Sequence, residues 1–147
     1  MKIARLLQLF FFLSIIIISS CSDNDEEFGD TSLISFEEAT FSEDQFIIYL
    51  TEDPNGKTFS FGAGTYNFTN TIPLADIENL TIKGAGIDET YFDFSNSAST
   101  SGEGIAAMDC SNLLFCGFTI QNTNGGNAIT ARNITGLRID GVGTVWP

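Results

Sequence analysis

Between Asn79 and Asp140 one short strand is written several times, and a chain that repeats a strand is restricted to architectures in which strands stack on copies of themselves. Gly117-Phe118-Thr119-Ile120-Gln121 matches Gly136-Leu137-Arg138-Ile139-Asp140 at an offset of 19, and Asn79-Leu80-Thr81-Ile82-Lys83 lies 38 residues ahead of the first. Flanking pieces repeat at other spacings: Ile105 and Ile129 at 24, Asn112-Leu113 and Asn133-Ile134 at 21. Strands of constant pattern joined by loops of varying length are what a solenoid tolerates. Apolar and polar residues alternate within each strand, which sends Leu80, Ile82, Phe118, Ile120, Leu137 and Ile139 into a core. The partners Thr81, Lys83, Thr119, Gln121, Arg138 and Asp140 then line an outer face. With rungs about 4.8 Å apart, the repeat predicts one column of Lys83, Gln121 and Asp140 beside another of Thr81, Thr119 and Arg138. Lys83, Gln121, Arg138 and Asp140 are the candidate ligand face, a polar surface suited to sugar hydroxyls.

The strand texture begins at Lys57. Ahead of it the chain reads as one short helix: Ser42-Glu43-Asp44-Gln45 resembles a capping box, Phe46, Tyr49 and Leu50 share a face, and Pro54-Asn55-Gly56 stops the element. This divides the folded part into an N-terminal helical cap, 36–56, and strand-bearing coils, 57–147. Three Asn-x-Thr sequences, at Asn67, Asn79 and Asn133, read as strand threonines after turn asparagines. Gly84-Ala85-Gly86 reads as a tight turn, since no helix follows it to make a phosphate loop.

Gly64-Thr65-Tyr66, then Leu80-Thr81-Ile82-Lys83-Gly84-Ala85-Gly86, then Thr90-Tyr91-Phe92-Asp93-Phe94 resemble the opening coils of right-handed parallel β-helices of the pectate-lyase-like superfamily. The resemblance implies an all-β fold, a short solenoid with a helical cap. It does not choose a function, because related β-helices include polysaccharide lyases, glycoside hydrolases, epimerases, phage tailspikes and bacterial lipoproteins. Polygalacturonase-type members carry Asn-Thr-Asp where this chain has Asn122-Thr123-Asn124. Lyase-type members use a basic residue with several calcium-holding acids, whereas Arg138 and Lys83 have only Asp140 beside them. Glycoside hydrolysis needs two carboxyl groups flanking the bond. No catalytic residue, metal site or cofactor is therefore assigned. A non-catalytic module that binds a polysaccharide or another partner is expected, the alternative being the N-terminal part of a polysaccharide-active enzyme. Members of the superfamily commonly run on for more coils, and no closing segment follows Val145-Trp146-Pro147. The expectation is a β-helix cut short, whose open end associates with other chains.

The first residues fix a compartment. Lys2 and Arg5 precede an apolar run from Leu6 to Ile18, and Ile18-Ser19-Ser20-Cys21 closes it. This is the pattern of a secretory signal peptide, 1–20, and its end resembles the bacterial lipobox, which implies lipidation of Cys21 and a membrane anchor through that lipid. An acidic tether, 21–35, follows, with Asp23, Asp25, Glu26, Glu27 and Asp30. Its start resembles the acidic signal that exports some lipoproteins to the outer face of the outer membrane; a plain polar spacer is the alternative. Without residues 1–20 the chain keeps four basic and nineteen acidic side chains, about −15, which repels nucleic acid. It has no histidine, which removes Ser-His-Asp triads, Cys-His proteases and His-containing zinc hydrolases. Cys110 and Cys116 are read either as small buried residues in adjacent strands or as a disulfide.

Overall fold

The computed structural model describes residues 32–98, 102–121 and 126–146. The signal segment, Cys21, the tether up to residue 31 and Asn122-Thr123-Asn124 lie outside the described residues. Among the described residues the protein is mostly β, every strand pairing is parallel, and there is one α-helix. Strand β1 (Ser32–Phe36) occupies positions that the sequence assigns to the tether and the start of the cap. Ile34 and Phe36 turn toward the core and Leu33 and Ser35 away from it, an alternation too short to stand out after the acidic run. After a 3₁₀ turn at Glu38–Thr40 comes α1 (Glu43–Glu52), capped by the Ser42 hydroxyl, which accepts from the Gln45 amide at 3.4 Å.

From Lys57 the strands follow in two sets. β2 (Lys57–Phe61), β3 (Gly64–Asn67) and β4 (Ile72–Ala75) pair in order with β5 (Glu78–Lys83), β6 (Thr90–Asp93) and β7 (Ile105–Met108). The eleven-residue β8 (Ser111–Gln121) lies along β5 with its first half and β6 with its second. β9 (Ile129–Arg132) pairs with β7, and β10 (Thr135–Val145) with β8. The result is a seven-stranded sheet, with β1, β2, β5, β8, β6 and β3 in order and β10 on β8, and a three-stranded sheet of β4, β7 and β9.

The register differs from the one read off the repeats. Leu113 sits beside Leu137, Cys116 beside Asp140 and Ile105 beside Ile129, all 24 residues apart. Leu80 sits beside Leu113 and Ile72 beside Ile105, at 33. The longer interval is absorbed between β5 and β6 and between β6 and β7. The 19-residue match of Gly117 with Gly136 pairs two unlike bends. Gly117 (φ 69°) bends β8 in mid-strand and stands in register with Gly84 and Gly141 (φ 57°), whereas Gly136 (φ 76°) enters β10 as Asn79 (φ 59°) and Asn112 (φ 53°) enter their strands. Both bends need a left-handed backbone, which glycine supplies without steric cost, so matching glycine to glycine confuses them.

The inward residues of both sheets and of α1 form one buried cluster. Leu80, Ile82, Phe92, Phe94, Phe118 and Ile120 are fully buried in it. Phenylalanines do much of the filling: Phe92 stacks on Phe118 at 4.5 Å and Phe68 on Phe94 at 5.0 Å. At the β1 end α1 closes the cluster, its Phe46 edge-on to Phe36 and Phe59 at 5.5 Å and to Phe61 at 5.4 Å. At the β10 end Leu137 is only partly buried and Ile139 is 49% exposed, contrary to the sequence expectation. Both belong to the strand whose far side no described strand covers.

Candidate functional site

Three two-residue turns stack at one edge of the protein: Asp76-Ile77 between β4 and β5, Asp109-Cys110 between β7 and β8, and Asn133-Ile134 between β9 and β10. The first residue of each has a left-handed backbone, with φ 55°, 55° and 52°. Among residues with a side chain, Asp and Asn adopt this conformation most readily, because their short polar groups bond locally. Rungs are tied by backbone bonds, Asp76 N–H to the Met108 carbonyl at 3.2 Å and Asp109 N–H to that of Arg132 at 3.1 Å. The Asn133 side-chain amide donates to Asp109 Oδ1. The second residue turns inward, and Ile77 and Cys110 are buried.

Glu78, Ser111 and Thr135 form the next column, in register with one another. Behind them Asn79, Asn112 and Gly136 repeat the left-handed backbone, and Asn112 Nδ2 donates to Asn79 Oδ1 at 2.9 Å. These two columns line an open, shallow cleft of about 310 Å³ formed by Asp76, Glu78, Asp109, Cys110, Ser111, Asn133 and Thr135. That is near the lower end of the range for small-molecule clefts, about 300–1,000 Å³. Its chemistry is that of a hydrogen-bonding surface: three carboxylates that accept, and an amide and two hydroxyls that both donate and accept. No cation lines it, so the charge of a carboxylated or phosphorylated ligand is repelled by the three carboxylates and met by no opposite charge. Among the described residues no group of His, Cys, Asp and Glu is arranged to hold a metal ion. Cys110 is a free buried thiol that donates to the Met108 carbonyl at 3.1 Å; it precedes the strand that holds Cys116, and no disulfide joins them.

The face expected from sequence assembles only in part. Lys83 and Asp140 share a column, but with Cys116 between them, which sets them about 10 Å apart at two rung spacings. Arg138 belongs to the neighbouring column, beside Leu114, and its guanidinium meets Asp140 at 3.4 Å in an exposed ion pair. Gln121 is not in either column. It ends β8, beside Asp93 and Val145. Thr119, expected on the outer polar face with Thr81 and Arg138, is buried beneath the 84–89 loop and donates to the Ile87 carbonyl. Gly84 serves close approach rather than tight turning: a Cβ there would strike the Gly117 carbonyl of the neighbouring strand. Asn133 lies in a turn as read, but Asn79 is the second residue of β5 and Asn67 the last of β3.

Among the cleft residues the strand repeat points to none and the cysteine count only to Cys110, although a signal exists. Asp76-Ile77-Glu78-Asn79, Asp109-Cys110-Ser111-Asn112 and Asn133-Ile134-Thr135-Gly136 share one pattern of turn residue, apolar residue, polar residue and turn residue. They recur at the true intervals of 33 and 24. Compared with known protein families, with curated proteins and with solved structures, the chain matches none.

Proposed function

We propose that the chain is a lipid-anchored cell-envelope protein, held at the outer membrane through Cys21, whose strands stack as a short right-handed parallel β-helix of the pectate-lyase-like kind and bind a glycan without cleaving it. The fold reading rests on the all-parallel pairing and on strand sets that recur rung by rung. The anchor reading rests on the apolar run and the Ile18-Ser19-Ser20-Cys21 ending. The observation that carries the binding reading is the cleft of carboxylates, amide and hydroxyls at the stacked turns. Its charge selects the ligand class: neutral sugars or protonated amino sugars fit it, and polyuronates do not.

The enzyme reading draws on one observation. Asp76 and Asp109 lie one rung apart, about 4.8 Å, close to the separation of about 5 Å between the carboxyl groups of retaining glycosidases. Against it, a working pair needs two contrasting environments that keep one acid protonated and the other ionised, and both aspartates are exposed on the same ridge.

The test is titration of the purified chain in detergent with a neutral glycan, an amino-sugar polymer and a polyuronate, with product analysis alongside. Asp109→Asn and Asp76→Asn keep a residue type that accepts φ near 55° and remove only charge. Binding of the amino-sugar polymer that weakens about tenfold in the double variant fits the loss of charge-assisted bonds. Preference for the polyuronate refutes the ligand class, and hydrolysis abolished by Asp109→Asn refutes the non-catalytic reading.

A further inference from the structure

Among the described residues nothing pairs with the far edge of β10, although that strand runs for eleven residues. An uncovered edge of this length offers a row of backbone donors and acceptors to another strand. Apolar side chains accompany it: Ile139 is 49% and Val145 50% exposed, and Leu137, Val142 and Trp146 are only partly buried. Charge distinguishes this end from the rest of the molecule. The chain carries −13, yet β9 and β10 together hold Arg132 and Arg138 against Asp140 alone. It is the region where a second acidic copy meets least repulsion.

We propose that two copies of the chain pair antiparallel through β10 about a two-fold axis at Ile139. In an antiparallel pair, directly opposed residues point to the same face. Centring on Ile139 sets Ile139 against its own copy on the core side and Leu137 against Gly141. On the outer side Arg138 opposes Asp140 of the second copy, and the two-fold repeats that pair. The sequence Arg138-Ile139-Asp140 is thus complementary to itself in this register, as an isologous contact requires. Pairing ends naturally at Gly141, where φ 57° bends the strand. The exposed Arg138–Asp140 ion pair within each strand, at 3.4 Å, then becomes part of a four-charge cluster. Few residues take part, so the dimer is weak and concentration-dependent.

A charge-swap experiment tests this. The full-length chain, Arg138→Asp, Asp140→Arg and an equimolar mixture of the two variants are compared by sedimentation velocity in detergent across a dilution series, with circular dichroism as the control for folding. Either single variant opposes like charges twice and should weaken dimerisation by about tenfold. In the mixture every outer pair is again opposite in sign, so heterodimers should form as readily as the wild-type dimer. A wild-type chain that stays monomeric, single variants that dimerise as well as wild type, or a mixture that fails to recover would each overturn the proposal.

Discussion

Leu80, Leu113 and Leu137 occupy one column on three successive strands, so one substitution made at each isolates the effect of what lies above it. Leu80 and Leu113 are 0% and 1% exposed, and Leu137 is only partly buried. Removing three carbons from a fully buried leucine forfeits about 2.4 kcal/mol of transfer free energy. The cavity left inside a closed cluster raises the cost to about 2.5–5 kcal/mol. At Leu137 solvent reaches the gap, no cavity forms, and part of the side chain was already wet. The cost there should be about 1 kcal/mol. Urea titrations of Leu80→Ala, Leu113→Ala and Leu137→Ala at low protein concentration, with slopes checked for equality, give the three values. The first two should agree within about 1 kcal/mol and exceed the third by about 2. Equal losses at Leu113 and Leu137 would mean that the β10 end is closed. A loss below about 1 kcal/mol at Leu113 would mean that it is not in the column.

Thr119→Ala should cost about 1–1.5 kcal/mol because it removes the part-buried bond from its hydroxyl to the Ile87 carbonyl, while Thr81→Ala on the outer face stays within about 0.5 kcal/mol; chemical denaturation separates them. Gly84→Ala should cost about 2–3 kcal/mol by forcing apart β5 and β8, measured in the same way. Tyr66 donates from its hydroxyl to the Phe36 and Gly62 carbonyls at 3.0 and 3.2 Å. Burial, then the charges of Glu37 and Glu38, hold its phenol above the ordinary 10.0. The folded state therefore favours the neutral phenol, so its contribution is complete below pH 10.0 and is lost as pH rises through the raised value. Tyr66→Phe should flatten that alkaline loss and cost about 1–2 kcal/mol at neutral pH, read from melting curves across pH.

Much of the fold was legible because strand alternation depends on neighbours along the chain. A strand starts at Lys57, although β1 already precedes the helix, Ser42 caps that helix, and Phe92, Phe94, Phe118 and Ile120 are buried. Register was not legible in the same way, since it depends on loop lengths that the strand pattern does not encode. Ile105 and Ile129 already displayed the interval of 24, but the glycines of Gly117 and Gly136 made 19 look better. That slip put Gln121 beside Lys83 and left Cys116 out. The cleft was missed for a related reason. Its residues lie in turns or at the first position of the strand that follows, where the period-two pattern is silent, and only the left-handed backbone at Asp76, Asp109 and Asn133 explains why an acid or amide recurs there.

The cleft exists only if the rungs stack in this register, and paired cysteines test that directly. Thr81 and Leu114 are register neighbours on the outer face, so their Cα atoms are about 4.8 Å apart, inside the range a disulfide spans. Thr119 is five residues further along β8, about 16 Å away. Oxidation of the chain carrying Thr81→Cys and Leu114→Cys, followed by peptide mapping, should yield the linked peptide in high proportion. Thr81→Cys with Thr119→Cys should yield none. A crosslink in the second pair and not the first would contradict the register and, with it, the cleft.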